Sequence, residues 1–298
     1  MSTKEATGAR YSWGGDEHLF VEVAEEMSLE AYFRATAIVA QLRERRPGGV
    51  LDICPANASY QVRFDPDELD PQALLELAQG IEEEVGDAHS FELDTRICEI
   101  PVLYGDPWTH ETLMKFRDRH QDPDATDLEY AARVNGLDSA EAFIERHHSS
   151  PWLASMVGFV AGLPFLYQMV PRDRQLEVPK YVRPRTDTPK QTVGHGGCFG
   201  CIYSVRGAGG YQMFGITPMP IYDPQQSLPD MKDFVCFFEP GDILKFTPID
   251  RERYDELLAE AEAGTISIRR RDVSFRLEEF LADPDAYNAR LLEVLDAD

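Results

Sequence analysis

The chain has 298 residues, 43% hydrophobic and 28% charged, and carries 29 Lys and Arg against 53 Asp and Glu, a formal net charge of −24. That length and apolar content belong to a folded protein with a sizeable core, divided into two domains. The acidic balance repels phosphate backbones and anionic headgroups at long range, so nucleic acid and membrane surfaces are poor candidate partners.

The amino terminus, "MSTKEATGARYSWGGDEH", lacks the apolar stretch of a secretory leader. Cys54, Cys98, Cys198, Cys201 and Cys236 are an odd, scattered set rather than a disulfide framework. A cytoplasmic protein with reduced thiols is expected.

From His18 the pattern alternates between strands and helices. "HLFVEVA" has period two; Ser28 then stands as an N-cap before "LEAYFRATAIVAQLRERR", whose apolar residues recur at helical spacing until Pro47-Gly48-Gly49. "VLDICPA" and "SYQVRFD" read as two strands with Asn57 in the turn, and Asp70-Pro71 opens a helix over "PQALLELAQGIEEEV". "SFELDTRICEIPVLY" is the strand that leaves this domain. The order strand, helix, strand, strand, helix, strand is that of a split βαβ, ferredoxin-like unit, expected over residues 1–95.

Residues 106–148 read as a polar helical insertion, with "HETLMKFRDRH", "DLEYAARVNG" and a short helix start at Asp138-Ser139-Ala140-Glu141. "SSPWLASMVGFVAGLPFLYQMV" has no charged residue, yet Gly158, Gly162, Pro164 and Gln168 break it into strand and turn rather than a membrane span. From Pro151 to Pro248, glycine, proline, β-branched and aromatic residues with frequent turn signals predict a barrel or sandwich. "RERYDELLAEAEAG" closes as a helix, and residues 251–298 form a helical extension in which "TISIRRRDVSFRLEEFLADPDAYNARLLEVLDAD" supplies a strand-like piece and a terminal helix.

The stretch "GHGGCFGC", residues 194–201, holds one histidine and two cysteines. As a zinc ligand set it is half complete, since no second CxxC and no spaced histidine pair exists, and as a redox motif it does not open a helix. Its glycines read as close chain approaches or free amides, and no metal site is expected. The segment from Arg172 to Lys190 reverses the local charge, with Arg172, Arg174, Lys180, Arg183, Arg185 and Lys190 against Asp173, Glu177 and Asp187. It fits either a site for a carboxylate or phosphate, or a solvated loop paired with the acidic surface. His147 and His148 end the helical insertion, placed for acid–base work or for capping the helix. No GxSxG, Walker A loop or strand-following GxGxxG occurs.

Three blocks, "HHSSPWLASMVGFVAGLPFLYQM", "VRPRTDTPKQTVGHGGCFGCIYS" and "GAGGYQMFGITPMPIYDP", resemble the signatures of the family containing the B component of 5-oxoprolinase, allophanate hydrolase subunit 1 and the carboxyltransferase region of urea carboxylase. The likeness runs from about His18 to Pro248. His147 meets the family histidine; Gly158, Phe159, Gly162, Pro164, Phe165 and Leu166 meet the first block. Pro184, Arg185, Pro189, Val193, Gly194, Gly197 and Tyr203 meet the second, and Gly209, Gly210, Gly215 and Thr217 the third, with Tyr211 replacing a tryptophan. Phe199-Gly200-Cys201 stands where the family has Gln-Thr-Gly, Pro189-Lys190-Gln191-Thr192 where it has Pro-Ala-Gly-Ser, and Ala161 replaces a proline.

The resemblance implies an α+β chain, a ferredoxin-like domain followed by a cyclophilin-like β-barrel over residues 96–250. It implies a carboxyltransferase-type subunit of a biotin-dependent carboxylase, working with a homologous second subunit and with biotin carboxylase and biotin carrier chains. Carboxybiotin would sit on a partner carrier and ATP would be used at a partner subunit, with a small urea-, amide- or carbonyl-type substrate. Arg185 and Lys190 would be the cations and His147 a proton shuttle or cap. Phe159, Pro164, Phe165, His195, Gly196, Gly197, Gly209, Gly210, Tyr211 and Thr217 would line the ligand site. The residues after Phe237 are similar to the segment that follows this domain in urea carboxylases. An ATP-dependent lactam hydrolase subunit like 5-oxoprolinase, and a binding module like the family's histidine-kinase inhibitors, are the competing implications.

Overall fold

A computed structural model describes residues 8–297; residues 1–7, part of the stretch read above for a leader, and residue 298 lie outside the described residues. The chain divides into two units, one of the residues up to Leu93 with Phe275–Ala282, the other of Asp94–Ser274 with the residues from Asp283. Residues 251–298 therefore form no unit of their own.

In the first unit, β1 (Arg10–Trp13), β2 (His18–Glu22), α1 (Leu29–Arg45), β3 (Val50–Ala56), β4 (Ser59–Phe64) and α2 (Pro71–Val85) follow in order. Both helix starts are fixed by the residues that predict them. The Ala31 amide donates to Ser28 Oγ at 3.1 Å, and the Gln72 amide to Asp70 Oδ1 at 3.0 Å. The alternating Leu19 and Val21 of β2 and Tyr60, Val62 and Phe64 of β4 point into a core closed by Ile38 and Leu42 of α1 and Leu74 and Ile81 of α2. The sheet order is β1-β2-β4-β3 with every neighbouring pair antiparallel, so β2 and β3 run parallel with β4 between them.

The strand after α2 does not enter this sheet. Its place beside β2 is taken by β1, which the sequence pattern did not reveal. The cause is a buried carboxylate on α2. Glu82 accepts from the Ala9 amide at 2.9 Å, from the Tyr11 hydroxyl, and from Arg34 Nη2 at 2.8 Å. The start of the chain's first strand and a residue of α1 thus converge on one side chain of α2.

The second unit begins on β5 (Glu92–Tyr104), followed by α3 (Pro107–Lys115), α4 (Asp127–Val134) and α5 (Ala140–His148). Then come β6 (Trp152–Val157), β7 (Pro164–Gln168), β8 (Arg185–Thr188), β9 (Thr192–Gly196), β10 (Phe199–Ile202), β11 (Gly207–Gly209), β12 (Gln212–Ile216) and β13 (Ile243–Pro248). α6 (Arg251–Glu262), β14 (Arg270–Arg276), α7 (Leu277–Ala282) and α8 (Pro284–Asp296) complete the chain. Its uncharged stretch is the β6–β7 antiparallel pair, and among the described residues no helix is long and apolar enough to cross a membrane.

The main sheet has the order β12-β9-β10-β7-β6-β13-β5-β14, and β12 also pairs with β5, so the pairings close into a ring with β14 outside it. Gly215 makes the closure possible: a Cβ there would lie 2.5 Å from the Leu103 carbonyl oxygen of β5. Alternate residues of the ring strands, among them Ile100, Val102, Trp152, Ala154, Leu166, Val193, Ile202, Leu244 and Phe246, share one buried core.

Glu82→Ala should lower the urea midpoint of the full chain by the equivalent of about 3 kcal/mol, because it strands the largely buried Arg34 guanidinium and frees β1. Hydrogen exchange should show the loss first in β1 and β2; unchanged protection there would contradict this role for Glu82.

Candidate functional site

"GHGGCFGC" is the β9–β10 hairpin. Gly196 faces Phe199, His195 faces Gly200 and Gly194 faces Cys201, leaving Gly197 and Cys198 as the two-residue turn. Gly197 has φ +64°, a conformation that glycine adopts without strain. The five cysteines are free thiols, and no group of three or more His, Cys, Asp or Glu among the described residues is placed to hold a metal ion.

Period-two alternation gives the hairpin two unlike faces. On one, His195, Gly200 and Ile202 meet Trp152 and Leu166. On the other, Gly194 and Gly196 leave room for aromatic rings. A Cβ on Gly194 would lie 2.6 Å from the Gln212 carbonyl, and one on Gly196 would run into the Tyr211 ring. Gly209 similarly makes room for the Tyr203 hydroxyl.

That second face opens into a cavity of about 400 Å³, a size suited to a small ligand. Phe159, Phe165, Tyr203 and Tyr211 supply its aromatic surface, Leu163, Pro184, Ala208 and Cys201 the aliphatic and sulfur surface, and Gly209 and Gly210 bare backbone. Lys180 is its cation, with Nζ 5.1 Å from the Tyr211 ring centre and no carboxylate partner among the described residues. Phe159 is 70% exposed and has φ +68°. A bulky residue in the left-handed region is a strained placement, held here at the cavity rim.

Behind the cavity lies Arg185, fully buried on β8 opposite Gly209. Its Nε donates to Thr188 Oγ1 at 3.3 Å and its guanidinium lies 4.3 Å from the Tyr181 ring centre. Nη1 and Nη2 are buried without a hydrogen-bond partner. Burial pushes the Tyr203 phenol up, while Arg185 acts in the opposite direction on it and on the Cys201 thiol, which places the positive charge beside two cavity-lining groups. A buried cation without a counter-ion is costly and calls for a partner from outside the chain.

The basic segment thus divides. Arg172 pairs with Glu177 at 3.0 Å, Arg174 with Asp285 at 2.7 Å and Arg183 with Asp118 at 3.0 Å, whereas Lys180 lines the cavity and Arg185 lies buried behind it. Lys190, the other cation expected from the sequence, is exposed in the turn before β9 and is not among the cavity residues.

His147 and His195 lie on the opposite side of the hairpin from the cavity. His147, at the end of α5, is fully buried, with Nδ1 2.8 Å from the Tyr104 hydroxyl and its ring stacked 4.9 Å from Phe246. Its carbonyl accepts from Trp152 Nε1 at 3.0 Å. Desolvation, then the neighbouring His195, His148 and Lys245, hold its pKa well below the usual value. His195 Nε2 donates to the Leu176 carbonyl at 3.0 Å. Thr217 is buried and its Oγ1 accepts from the Met219 amide, Pro164 is buried at the start of β7, and Gly196 and Gly197 form hairpin backbone. Of the expected ligand residues, the structure gathers Phe159, Phe165, Gly209, Gly210 and Tyr211 around one cavity. Sequence reasoning missed Lys180 and Tyr203 as cavity residues. The alternation Phe199, Cys201, Tyr203 was the available signal for the second; for the first, nothing distinguished one lysine in a basic run.

A family model described as the carboxyltransferase domain, subdomains C and D, matches residues 9–231, a span that contains the whole cavity. The chain belongs to this carboxyltransferase-domain family. It is 28% identical over 248 residues to the B component of 5-oxoprolinase from Bacillus subtilis, covering 80% of this chain and 92% of that protein. It is 25% identical over 276 residues to urea amidolyase of Saccharomyces cerevisiae, covering 91% of this chain and 15% of that protein. The solved urea carboxylase of Kluyveromyces lactis shares its fold, with a TM-score of 0.82 at 23% identity over 97% of this chain and 26% of the other. The chain thus spans nearly all of the bacterial relative and a small part of the two fungal ones.

The buried histidines give this carboxyltransferase-family domain an acid limit. Desolvation pushes His195 down to about 4 from the usual 6.5, against the Leu176 and Gly197 carbonyls that favour the charged ring. Between those values the unfolded chain binds more protons than the folded one, so stability held above pH 6.5 is lost as pH falls toward 4, by an amount on the order of 3 kcal/mol. Urea midpoints measured at pH 7 and pH 4.5 should show the fall, and His195→Gln should flatten it; an unaltered slope in that variant would place the acid sensitivity elsewhere.

Proposed function

We propose that this chain is the carboxyltransferase component of a biotin-dependent carboxylase, acting with a homologous second subunit on a small urea-, amide- or carbonyl-type acceptor. In that assembly biotin is carried by a partner chain and ATP is consumed at another. We read the first unit as a variant of the ferredoxin-like fold and the closed ring as a cyclophilin-like barrel, with residues 106–148 as its helical insertion and 251–298 as an extension shared between the two units.

The observation that carries the reading is a pair of cations without carboxylate partners among the described residues, Lys180 lining an aromatic cavity and Arg185 buried behind it, in a chain of net charge −24. The cavity fits a carboxylated ureido ring on its own chemistry. Tyr211, Phe165 and Phe159 offer flat faces, and the two orphaned Nη groups of Arg185 call for an anionic oxygen. Bound there, carboxylated biotin would supply the carboxyl group.

The chain's own residues would bind and polarise. Arg185 and Lys180 favour negative charge developing on the carboxyl oxygens, an effect enlarged by the low dielectric of an aromatic enclosure. Tyr203 Oη accepts from the Tyr211 amide at 3.3 Å, and the phenol, kept protonated by burial, retains its own hydrogen for donation. Phe159 at the rim covers the ligand and excludes water. His147, buried in the core, serves as a cap and packing residue in this scheme, and Lys190 stays outside it.

A second reading has a specific support: the chain spans 92% of a bacterial protein named as the B component of 5-oxoprolinase. In an ATP-dependent lactam hydrolase the same recess would receive a carboxylate or a phosphate.

Native purification of the chain, with streptavidin blotting of what accompanies it, should yield a biotinylated partner; a homologous second subunit and no biotinylated chain would move the assignment to the lactam branch. Arg185→Ala should reduce turnover of the assembled complex by about 100-fold or more while leaving the subunits associated. Full activity in that variant would remove the anion recess from either reading.

A further inference from the structure

Among the described residues Arg185 has no carboxylate within ion-pair distance, yet one stands a single ring away. Tyr181, whose ring stacks on the guanidinium at 4.3 Å, donates its hydroxyl hydrogen to Asp127 Oδ1 at 2.8 Å. Asp127 is the first residue of α4 and is 3% exposed. Its other oxygen accepts from the Met213 amide of β12 at 2.5 Å. On the far side, His120 Nε2 lies 3.3 Å from Asp127 Oδ1, and its Nδ1 stands 2.9 Å from the Asp122 amide and 2.7 Å from the Asp122 carbonyl. His120, Asp127, Tyr181 and Arg185 are all buried, and the His120 and Tyr181 rings also meet edge to face at 4.9 Å, so the four form one cluster joining the helical insertion to the arginine behind the cavity.

We infer that Asp127, acting through Tyr181, is the counter-charge and positioning residue that keeps Arg185 buried and unpaired behind the cavity until an anion arrives. The inference rests on the anion-recess reading of the same cavity. Donation to a carboxylate draws the phenol toward phenolate character, which makes the ring face more negative and strengthens its hold on the guanidinium. A carboxylate bonded directly to Arg185 would occupy the two Nη groups and close the site. Set back by one tyrosine, the negative charge offsets part of the burial cost and leaves both groups free. Asp127 touches neither cavity nor ligand, so its part is positioning.

The charge placement makes an unusual prediction. Asp127→Asn keeps the side chain's shape and removes a negative charge from the neighbourhood of the recess, so it should tighten anion binding by about five- to tenfold while lowering the melting temperature. Tyr181→Phe keeps the ring, leaves Asp127 charged and cuts the link, so it should weaken binding by about tenfold and broaden the guanidinium signal. A pair with a packing role alone would shift both variants in the same direction.

The full chain labelled with 15N-arginine can be titrated with acetate as the probe, following the Arg185 Nε resonance, assigned by its loss in Arg185→Lys. Opposite changes in acetate affinity for the two variants, with Asp127→Glu near wild type, establish the counter-charge. Weaker or unchanged binding in a folded Asp127→Asn protein overturns it while leaving the recess in place. If Asp127→Asn does not fold, Tyr181→Phe decides: wild-type affinity and line shape there overturn the inference. A wild-type Arg185 resonance that ignores acetate removes the recess itself, and both ideas with it.

Discussion

An arginine buried without a counter-ion is the constraint around which the second unit is arranged. Removing a guanidinium from water is tolerable when other groups replace the lost hydration, and here that replacement is spread over a hydroxyl, an aromatic face and a carboxylate one ring away. Each comes from a different element: Thr188 from β8, Tyr181 from the segment before it, Asp127 from α4. The helical insertion between β5 and β6 is therefore more than surface decoration, because its middle helix delivers the negative charge.

The second constraint is that one hairpin serves two environments. Alternation sends His195, Gly200 and Ile202 toward Trp152 in the core, and Gly194, Gly196 and Cys201 toward the tyrosines of the cavity. Glycines on the cavity side are set by neighbouring ring volume rather than by turn geometry, except at Gly197. Because the sheet separates the faces, a histidine on the core side is kept from ligand chemistry on the other, however near it lies in sequence. Sequence proximity inside "GHGGCFGC" therefore grouped residues that the pleat divides.

Much of the fold was legible. Ser28 and Asp70 cap the helices they were expected to open, Ser139 caps α5 from within the expected start Asp138-Ser139-Ala140-Glu141, and the segments Val50–Ala56 and Pro71–Val85 coincide with β3 and α2. Those signals are local, carried by period and cap chemistry within a few residues. β1 was illegible because its four residues are only marginally patterned and their place is fixed by Glu82, some seventy residues away. The site followed the same rule. Aromatic and glycine members of the cavity could be named from motif and composition, whereas the difference between Lys180 at a cavity and Lys190 in an exposed turn is tertiary. Arg185 stood out by residue type, but its lack of a partner is visible only once Asp187, two residues on, is seen to spend its charge on Arg206 and Lys115.

The contrast between a strongly acidic chain and a cationic cavity bears on how a ligand reaches it. At distances beyond roughly 8 Å in physiological salt the surface charge is screened, and what remains of it opposes a small free anion. Inside the aromatic recess the balance reverses, since the low dielectric enlarges the local effect of Arg185 and Lys180 over that of distant carboxylates. Such a site gains little from electrostatic steering and depends on short-range fit. An anionic group presented on a macromolecular arm suits it better than one diffusing alone, because the arm supplies a high effective concentration that the long-range field does not. In the proposed assembly, the acidic composition suits delivery of the carboxyl group by a carrier, with recognition by the cavity at the end of that delivery.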